Sequence, residues 1–149
     1  MSNRVLITCT QLQRTIDDYR SLFVERNIKI EMPVLQQQMT ESDLIEMIGG
    51  FDGVIAGDDP FTAKVLEEGK RLKVLVRWGV GTDSVDLEAA KRLGIPVTNT
   101  PNVFADEVAD VVMGYVVLLA RGLHKVDGSV REGGWVKPLG VSLRDKTIG

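Results

Sequence analysis

Along the first hundred positions, short runs of apolar and β-branched residues alternate with longer stretches in which apolar residues recur every three or four positions. The short runs are residues 4–8 (RVLIT), 28–31 (IKIE), 53–57 (GVIAG), 72–76 (LKVLV) and 95–98 (IPVT). They read as five strands. The run GVIAG carries no polar residue, as expected of a strand covered by helices on both faces. Pro96 has no N–H to donate, so the fifth strand belongs at an edge or begins at that residue.

The stretches between them read as helices. Leu12, Ile16, Tyr19, Leu22 and Phe23 recur at helical spacing among charged neighbours, which predicts one surface helix with a single buried stripe. Thr40, followed by Glu41 and Asp43, has the form of an N-cap with acids in the first turn, and that helix is expected to stop at Gly49–Gly50. Thr62 and Asp86 cap two more helices. Strands separated by single helices predict an α/β domain: a flavodoxin-like parallel five-stranded sheet with helices on both faces.

The last third has a different pattern. A turn-rich break, Asn99-Thr100-Pro101-Asn102, precedes a long helix over residues 104–123 (FADEVADVVMGYVVLLARGL). Its apolar residues, among them Val108, Val112, Tyr115, Val116 and Leu119, point nearly all round the cylinder. Such a helix must be covered on most sides, by a second domain or another subunit. A shorter helix over residues 124–132 is expected to end at Gly133–Gly134. Residues 143–149 (LRDKTIG) read as a polar lead into a new apolar strand, an ending that resembles a cut. The division expected is therefore residues 1–100 as one domain and 101–149 as linker helices plus the first strand of another.

Composition narrows the functions open to such a chain. The 18 Lys and Arg against 21 Asp and Glu, with no long basic run, exclude nucleic acid as a main partner and give no attraction to an anionic membrane surface. No apolar run reaches the ~20 residues of a membrane span, and no signal-peptide pattern opens the chain. One cysteine, Cys9, and one histidine, His124, exclude an internal disulfide, a multi-cysteine zinc site and any site needing two imidazoles. These absences point to the cytoplasm.

Candidate chemistry lies in the loops that follow the strands. The Gly79-Val80-Gly81-Thr82 turn stands at the carboxyl end of the fourth strand, where ligands bind in open α/β sheets. Its glycines either let backbone N–H groups approach an anion or merely permit a tight strand-to-helix turn; by spacing alone the second is favoured. The turn lacks the third glycine of a dinucleotide fingerprint. Asp58 and Asp59, after the third strand, offer carboxylates to a ligand or form a turn with Pro60. His124 is expected at the end of the long helix, favouring the dipole there, and Cys9 as a small buried residue.

The segment VRWGVGTDSVDLEAAKRLGIPVTNTPNVFADEVADVVMGYVVLLAR, residues 76–121, closely resembles the D-isomer-specific 2-hydroxyacid dehydrogenases, nearest their phosphoglycerate-dehydrogenase-like branch. The R-x-G-x-G-x-D-x-V-D turn, the G-I-x-V-x-N-T-P strand and the V-A-D helix carry it. The DGVIAG, GGW and LRDKTIG segments extend it over nearly the whole chain. The resemblance implies a substrate domain in the first hundred residues, then a crossover into a Rossmann domain that binds NAD. It implies hydride transfer between NAD and a small 2-hydroxy or 2-keto acid, 3-phosphoglycerate among the candidates. It implies a homodimer formed through the helix of residues 104–123. By the same resemblance Trp78, Gly79, Val80 and Gly81 border the substrate carboxylate and bind it through main-chain N–H groups, with Asp58 on the substrate side. Val80, where relatives often carry Ser or Thr, touches the cofactor through backbone alone, and Val108 also meets the cofactor. Bulky Trp78 is expected to narrow substrate choice. The family's catalytic Arg, Glu and His have no counterparts in these 149 residues, so the chain alone is expected to be inactive.

Two other five-stranded classes fit less well. A phosphoryl-accepting receiver needs an acidic pair after the first strand, where Cys9-Thr10-Gln11 stands, and a flavodoxin needs a glycine-bearing phosphate loop there. The stronger alternative is a non-catalytic module that binds a carboxylate or dimerises with the same turn and helix.

Overall fold

The structure, a computed structural model, describes residues 2–149. Residues up to Val103 form one compact unit and Phe104–Gly149 a second.

The first unit is built on five parallel strands: β1 (Asn3–Ile7), β2 (Ile28–Glu31), β3 (Gly53–Ala56), β4 (Val74–Arg77) and β5 (Val97–Thr98). Their order is β2-β1-β3-β4-β5, with Leu6 beside Val54, Val54 beside Leu75 and Leu75 beside Val97. This is the doubly wound flavodoxin-like order, in which the direction of winding reverses between β1 and β3. The α/β class read from the alternating pattern is therefore the class observed. Pro96 precedes β5, an edge strand, and still contributes its carbonyl, which accepts from the Leu75 N–H at 3.0 Å.

Side-chain alternation sorts the strands onto two faces. Leu6, Val54 and Leu75 are buried against Leu44, Ile48, Val65, Leu66 and Ala89. Those partners come from α3 (Glu41–Met47) with its 3-10 extension Ile48–Gly50, α4 (Ala63–Glu68) and α5 (Leu87–Arg92). Ile7, Cys9, Leu12 and Ile16 form a smaller cluster on the other face, packed by Val5, Ile30, Ile55 and Trp78. The caps read from sequence are in place. Thr40 and Asp43 form a reciprocal capping box, the Thr62 hydroxyl accepts from Val65 N–H, and Asp86 accepts from Ala89 N–H at 2.8 Å.

The single helix expected between β1 and β2 is broken into three pieces: α1 (Thr10–Arg14), a 3-10 turn (Ile16–Asp18) and α2 (Arg20–Glu25). The Thr15 hydroxyl donates back to the Gln11 carbonyl, and Asp17 and Asp18 follow directly. Side chains of these types compete with the backbone ladder and favour a turn. Leu12 and Ile16 stay buried, while Tyr19 and Leu22 of the expected stripe are exposed.

In the second unit α6 (Ala105–Arg121) and α7 (Leu123–Arg131) meet at Gly122, whose left-handed φ of 64° ends the first and starts the second. No residue of α6 is buried, and Val108, Val112, Met113, Tyr115 and Leu119 are all exposed. The following chain folds back on α6, with Val141 N–H donating to the Ala120 carbonyl at 2.7 Å. One expectation is corrected here. His124 lies in the first turn of α7, where a helix dipole disfavours a cation, and Arg121 occupies the last turn of α6 instead. Residues 146–149, where a strand is expected to begin, are not in strand form in this structure. No helix among the described residues is long and apolar enough to cross a membrane.

Candidate functional site

The carboxyl ends of β1, β3, β4 and β5 bring together the loops singled out in the sequence. The segment Gly79-Val80-Gly81 follows β4 directly, and its backbone is held from both sides. Thr100 N–H donates to the Gly79 carbonyl at 2.9 Å, and the Asn99 side-chain amide donates to the Val80 carbonyl at 2.7 Å. On the other side the Arg77 guanidinium donates to the Trp78 carbonyl. Further along, the loop is tied to the β3–α4 connection. Phe61 N–H donates to the Ser84 carbonyl, and Asp86 N–H donates to the Phe61 carbonyl.

Fixing three successive carbonyls fixes three successive N–H groups. In a planar trans peptide the N–H points opposite to the carbonyl of the same unit. The N–H groups of Val80 and Gly81 are thereby aimed away from Thr100 and Asn99, and that of Gly79 away from the Arg77 guanidinium. Among the described residues, none accepts a hydrogen bond from these three amides. Gly79 is buried while Val80 and Gly81 are exposed. Consecutive unpaired N–H donors of this kind form a concavity suited to an anion, and the buried one needs a partner. Gly79 has φ of 146°, and a Cβ there would stand 2.7 Å from Arg77 Nη1. The glycine is therefore required by both backbone angle and close approach.

Trp78 differs from its neighbours. Its N–H donates to the Ala56 carbonyl at 2.9 Å as part of the sheet, so it offers no amide to a ligand. Its ring packs against the Ile7–Cys9–Leu12–Ile16 cluster and lines an apolar groove of about 290 Å³ with Leu22, Phe23 and Ile55. The expected role of its bulk in narrowing a substrate pocket gives way to packing, because the residue alternates onto the α1–α2 face of the sheet.

The two aspartates after β3 divide their roles. Asp59 is fully buried and accepts from Met39 N–H at 2.7 Å, Gly57 N–H at 3.1 Å and the Thr8 hydroxyl. It ties the ends of β1 and β3 to the loop before α3, and it is not free for a ligand or a metal. Asp58 is 74% exposed and pairs with Arg77. Arg77 is only 12% exposed, and its Nε is buried without a partner. Burial raises the Cys9 thiol above its ordinary value, against smaller opposing effects of the Leu12 and Gln11 amides, so Cys9 stays a protonated packing residue. No group of three or more His, Cys, Asp or Glu residues among those described could hold a metal ion. Val108 lies exposed on α6.

The sequence pointed to the glycine turn and to Asp58. It did not show that Asn99, Thr100 and Arg77 orient the turn, nor that Asp59 is a structural hub. The only trace of these roles was the density of Asn, Thr and Asp at strand ends.

Fold and site together define a doubly wound α/β domain with a turn of open amide donors at the carboxyl edge of its sheet. Residues 6–137 match the family described as D-isomer specific 2-hydroxyacid dehydrogenase, catalytic domain, and the chain belongs to that family. It is 36% identical over 124 residues to a hydroxypyruvate reductase of Thermotoga maritima, an alignment covering 81% of this chain and 40% of that protein. It is 35% identical over 119 residues to human D-3-phosphoglycerate dehydrogenase, covering 78% of this chain and 22% of the relative. Among solved structures, the TT0316 protein of Thermus thermophilus superposes with a TM-score of 0.74 at 31% identity, over 94% of this chain and 45% of that one. The chain thus spans less than half the length of each of these relatives.

Proposed function

We propose that the residues up to Val103 form the substrate-binding half of an NAD-dependent 2-hydroxyacid dehydrogenase, with the Gly79–Gly81 amides cradling the carboxylate of a small 2-hydroxy or 2-keto acid. The observation that carries this reading is the set of three oriented, unpartnered N–H groups at the family's signature turn. A carboxylate accepts from such donors in charge-assisted bonds, which are stronger than neutral ones. The family resemblance and the reductase and dehydrogenase names of the relatives support hydride chemistry.

NAD(H) would accept or deliver the hydride. These 149 residues hold no G-x-G-x-x-G cradle for its pyrophosphate. Within the first unit, what they offer the cofactor is the backbone at Val80, so no chemical step is assigned to this chain. It is expected to bind substrate and not to turn it over. The exposed apolar residues of α6 support assembly as a homodimer through that helix. We assign the parent enzyme to the cytoplasm, a compartment that suits the unpaired, buried Cys9.

Titration of the ¹⁵N-labelled chain with glycolate tests the reading. Saturable shifts confined to the amides of residues 79–81 and their neighbours are expected, with no oxidation of NADH in the presence of glyoxylate. Absence of shifts at these amides contradicts the carboxylate cradle, and NADH oxidation contradicts the assigned inactivity.

A further inference from the structure

The three amides of the cradle are not held alike. Each N–H takes its direction from the carbonyl of its own peptide unit. The Trp78 carbonyl, which sets the Gly79 N–H, is held by the Arg77 guanidinium, whose side chain is only 12% exposed. The Gly79 carbonyl, which sets the Val80 N–H, accepts from the backbone N–H of Thr100 at 2.9 Å. The Val80 carbonyl, which sets the Gly81 N–H, accepts from the Asn99 side-chain amide at 2.7 Å. Among the described residues no other donor reaches that carbonyl.

A peptide unit can invert between its neighbours when ψ of the residue before it and φ of the residue after it each turn through about 180°. Inversion puts a carbonyl oxygen where the N–H had pointed. For the unit between Gly79 and Val80, it would carry Val80 from negative to positive φ, a region closed to β-branched residues in ordinary backbone. For the unit between Val80 and Gly81, it would carry Gly81 from negative to positive φ, which glycine accepts freely.

Gly81 is not demanded by the conformation it holds. Its φ is not positive, and a Cβ built there would meet only Asp83 Oδ2 at 3.2 Å, the end of an exposed side chain. Gly79, by contrast, is fixed as glycine by both φ and close approach. The freedom of Gly81 is unused in the orientation observed. The inverted orientation is the one that would use it.

Resting on the carboxylate-cradle reading, we propose that Asn99 is a positioning residue: its side-chain amide latches the Val80–Gly81 peptide with the Gly81 N–H open to the ligand, and without that bond the peptide inverts. One of the two exposed donors then becomes an acceptor that repels a carboxylate. Asn99 does not touch the ligand. It acts from the segment leaving β5, so the turn's capacity to bind depends on a side chain outside the turn.

The test uses glycolate as probe of the ¹⁵N,¹³C-labelled full chain in four forms: the natural sequence, Asn99→Ala, Asn99→Asp, and Asn99→Ala combined with Gly81→Ala. Asn99→Ala should weaken glycolate about tenfold and abolish its shift at Gly81 while Val80 still responds. A merely structural Asn99 would move the urea midpoint without singling out one amide. The sequential NOEs from Val80 Hα and N–H to the N–H of residue 81 report the peptide's orientation without ligand. They should change in Asn99→Ala, and equally in Asn99→Asp, whose carboxylate keeps the shape and has no donor at neutral pH. Adding Gly81→Ala to Asn99→Ala should restore the natural NOE pattern, because positive φ is costly for an L residue. Binding by Asn99→Ala within about twofold of the natural chain, with Gly81 still responding, overturns the latch and leaves the cradle standing. NOEs that neither Asn99 variant changes, or that Gly81→Ala does not restore, overturn the inversion. If glycolate moves no amide of residues 79–81 in the natural chain, the cradle reading is wrong and the role of Asn99 in binding falls with it.

Discussion

The two edges of the sheet handle polar groups in opposite ways. At the amino edge Asp52 is nearly buried, and every oxygen is used. Its carboxylate accepts from the Arg4 N–H at 2.9 Å and pairs with Arg71 at 3.0 Å and Lys73 at 3.2 Å. Its backbone joins the same three strands, with Asp52 N–H donating to the Arg4 carbonyl and Lys73 N–H to the Asp52 carbonyl, both at 2.8 Å. At the carboxyl edge equal care is spent on the carbonyls of residues 78–80, and the matching amides are left empty. A fold that satisfies its polar groups so completely at one end and leaves consecutive donors open at the other marks the open end as a place for a ligand.

Substitutions that break this contrast should have effects of graded size. Asp59→Ala is the most severe: it leaves Met39 N–H and the Thr8 hydroxyl without their acceptor in the core, with Gly57 N–H keeping only the Thr8 oxygen at 3.1 Å, for a loss of about 3 kcal/mol. Urea unfolding should show a clearly lowered midpoint. Gly79→Ala forces an L residue to φ of 146° and pushes on Arg77, which should cost about 2 kcal/mol of stability. Its larger consequence is functional, because Arg77 must leave the Trp78 carbonyl and the Gly79 amide loses its direction. Glycolate shifts at residues 79–81 should then disappear from spectra of an otherwise folded chain.

Asp52→Asn should be milder at neutral pH, since Asn keeps an acceptor for Arg4. Its signature is in acid. The Arg4 N–H, helped by Lys73 and Arg71 and opposed by burial, lowers Asp52 to about 2. An unfolded aspartate titrates near ~3.9. The carboxylate is thus favoured in the folded state, and its contribution is complete above about pH 4 and lost as the pH falls through 2. Urea midpoints measured between pH 5 and 2 should fall less steeply in Asp52→Asn than in the natural chain. Asp58→Asn should be the least disruptive of the four, within about 0.5 kcal/mol, because the carboxylate is largely in water and exposed pairs contribute little. A larger loss would mean that the Arg77–Asp58 pair holds the fold and not only the charge of the site.

Much of this architecture is legible in the chain itself. Unbroken apolar runs and single caps at Thr40, Thr62 and Asp86 give the alternating strands and helices, because these are local signals that tertiary packing did not override. Thr15, Asp17 and Asp18 hid a break between α1 and α2, since apolar spacing alone does not register side chains that compete with the backbone. Whether residues 146–149 pair as a strand is not a local property, because strand pairing depends on partners distant in sequence. The turn at residues 79–81 could be located by its glycines, yet its open amides could not be read. Their direction depends on Asn99 and Thr100, some twenty residues away in sequence, and on which side of β4 Arg77 and Trp78 each take.

Amide hydrogen exchange measures the central claim most directly. Without ligand, the N–H groups of Val80 and Gly81 should exchange rapidly while those of Trp78 and Thr100, bonded to Ala56 and Gly79, are protected; glycolate should slow the first pair and leave the second unchanged. Protection at Val80 and Gly81 equal to that of Trp78 in the free chain would show that these donors are already satisfied within the protein, and the account of a carboxylate cradle would be wrong.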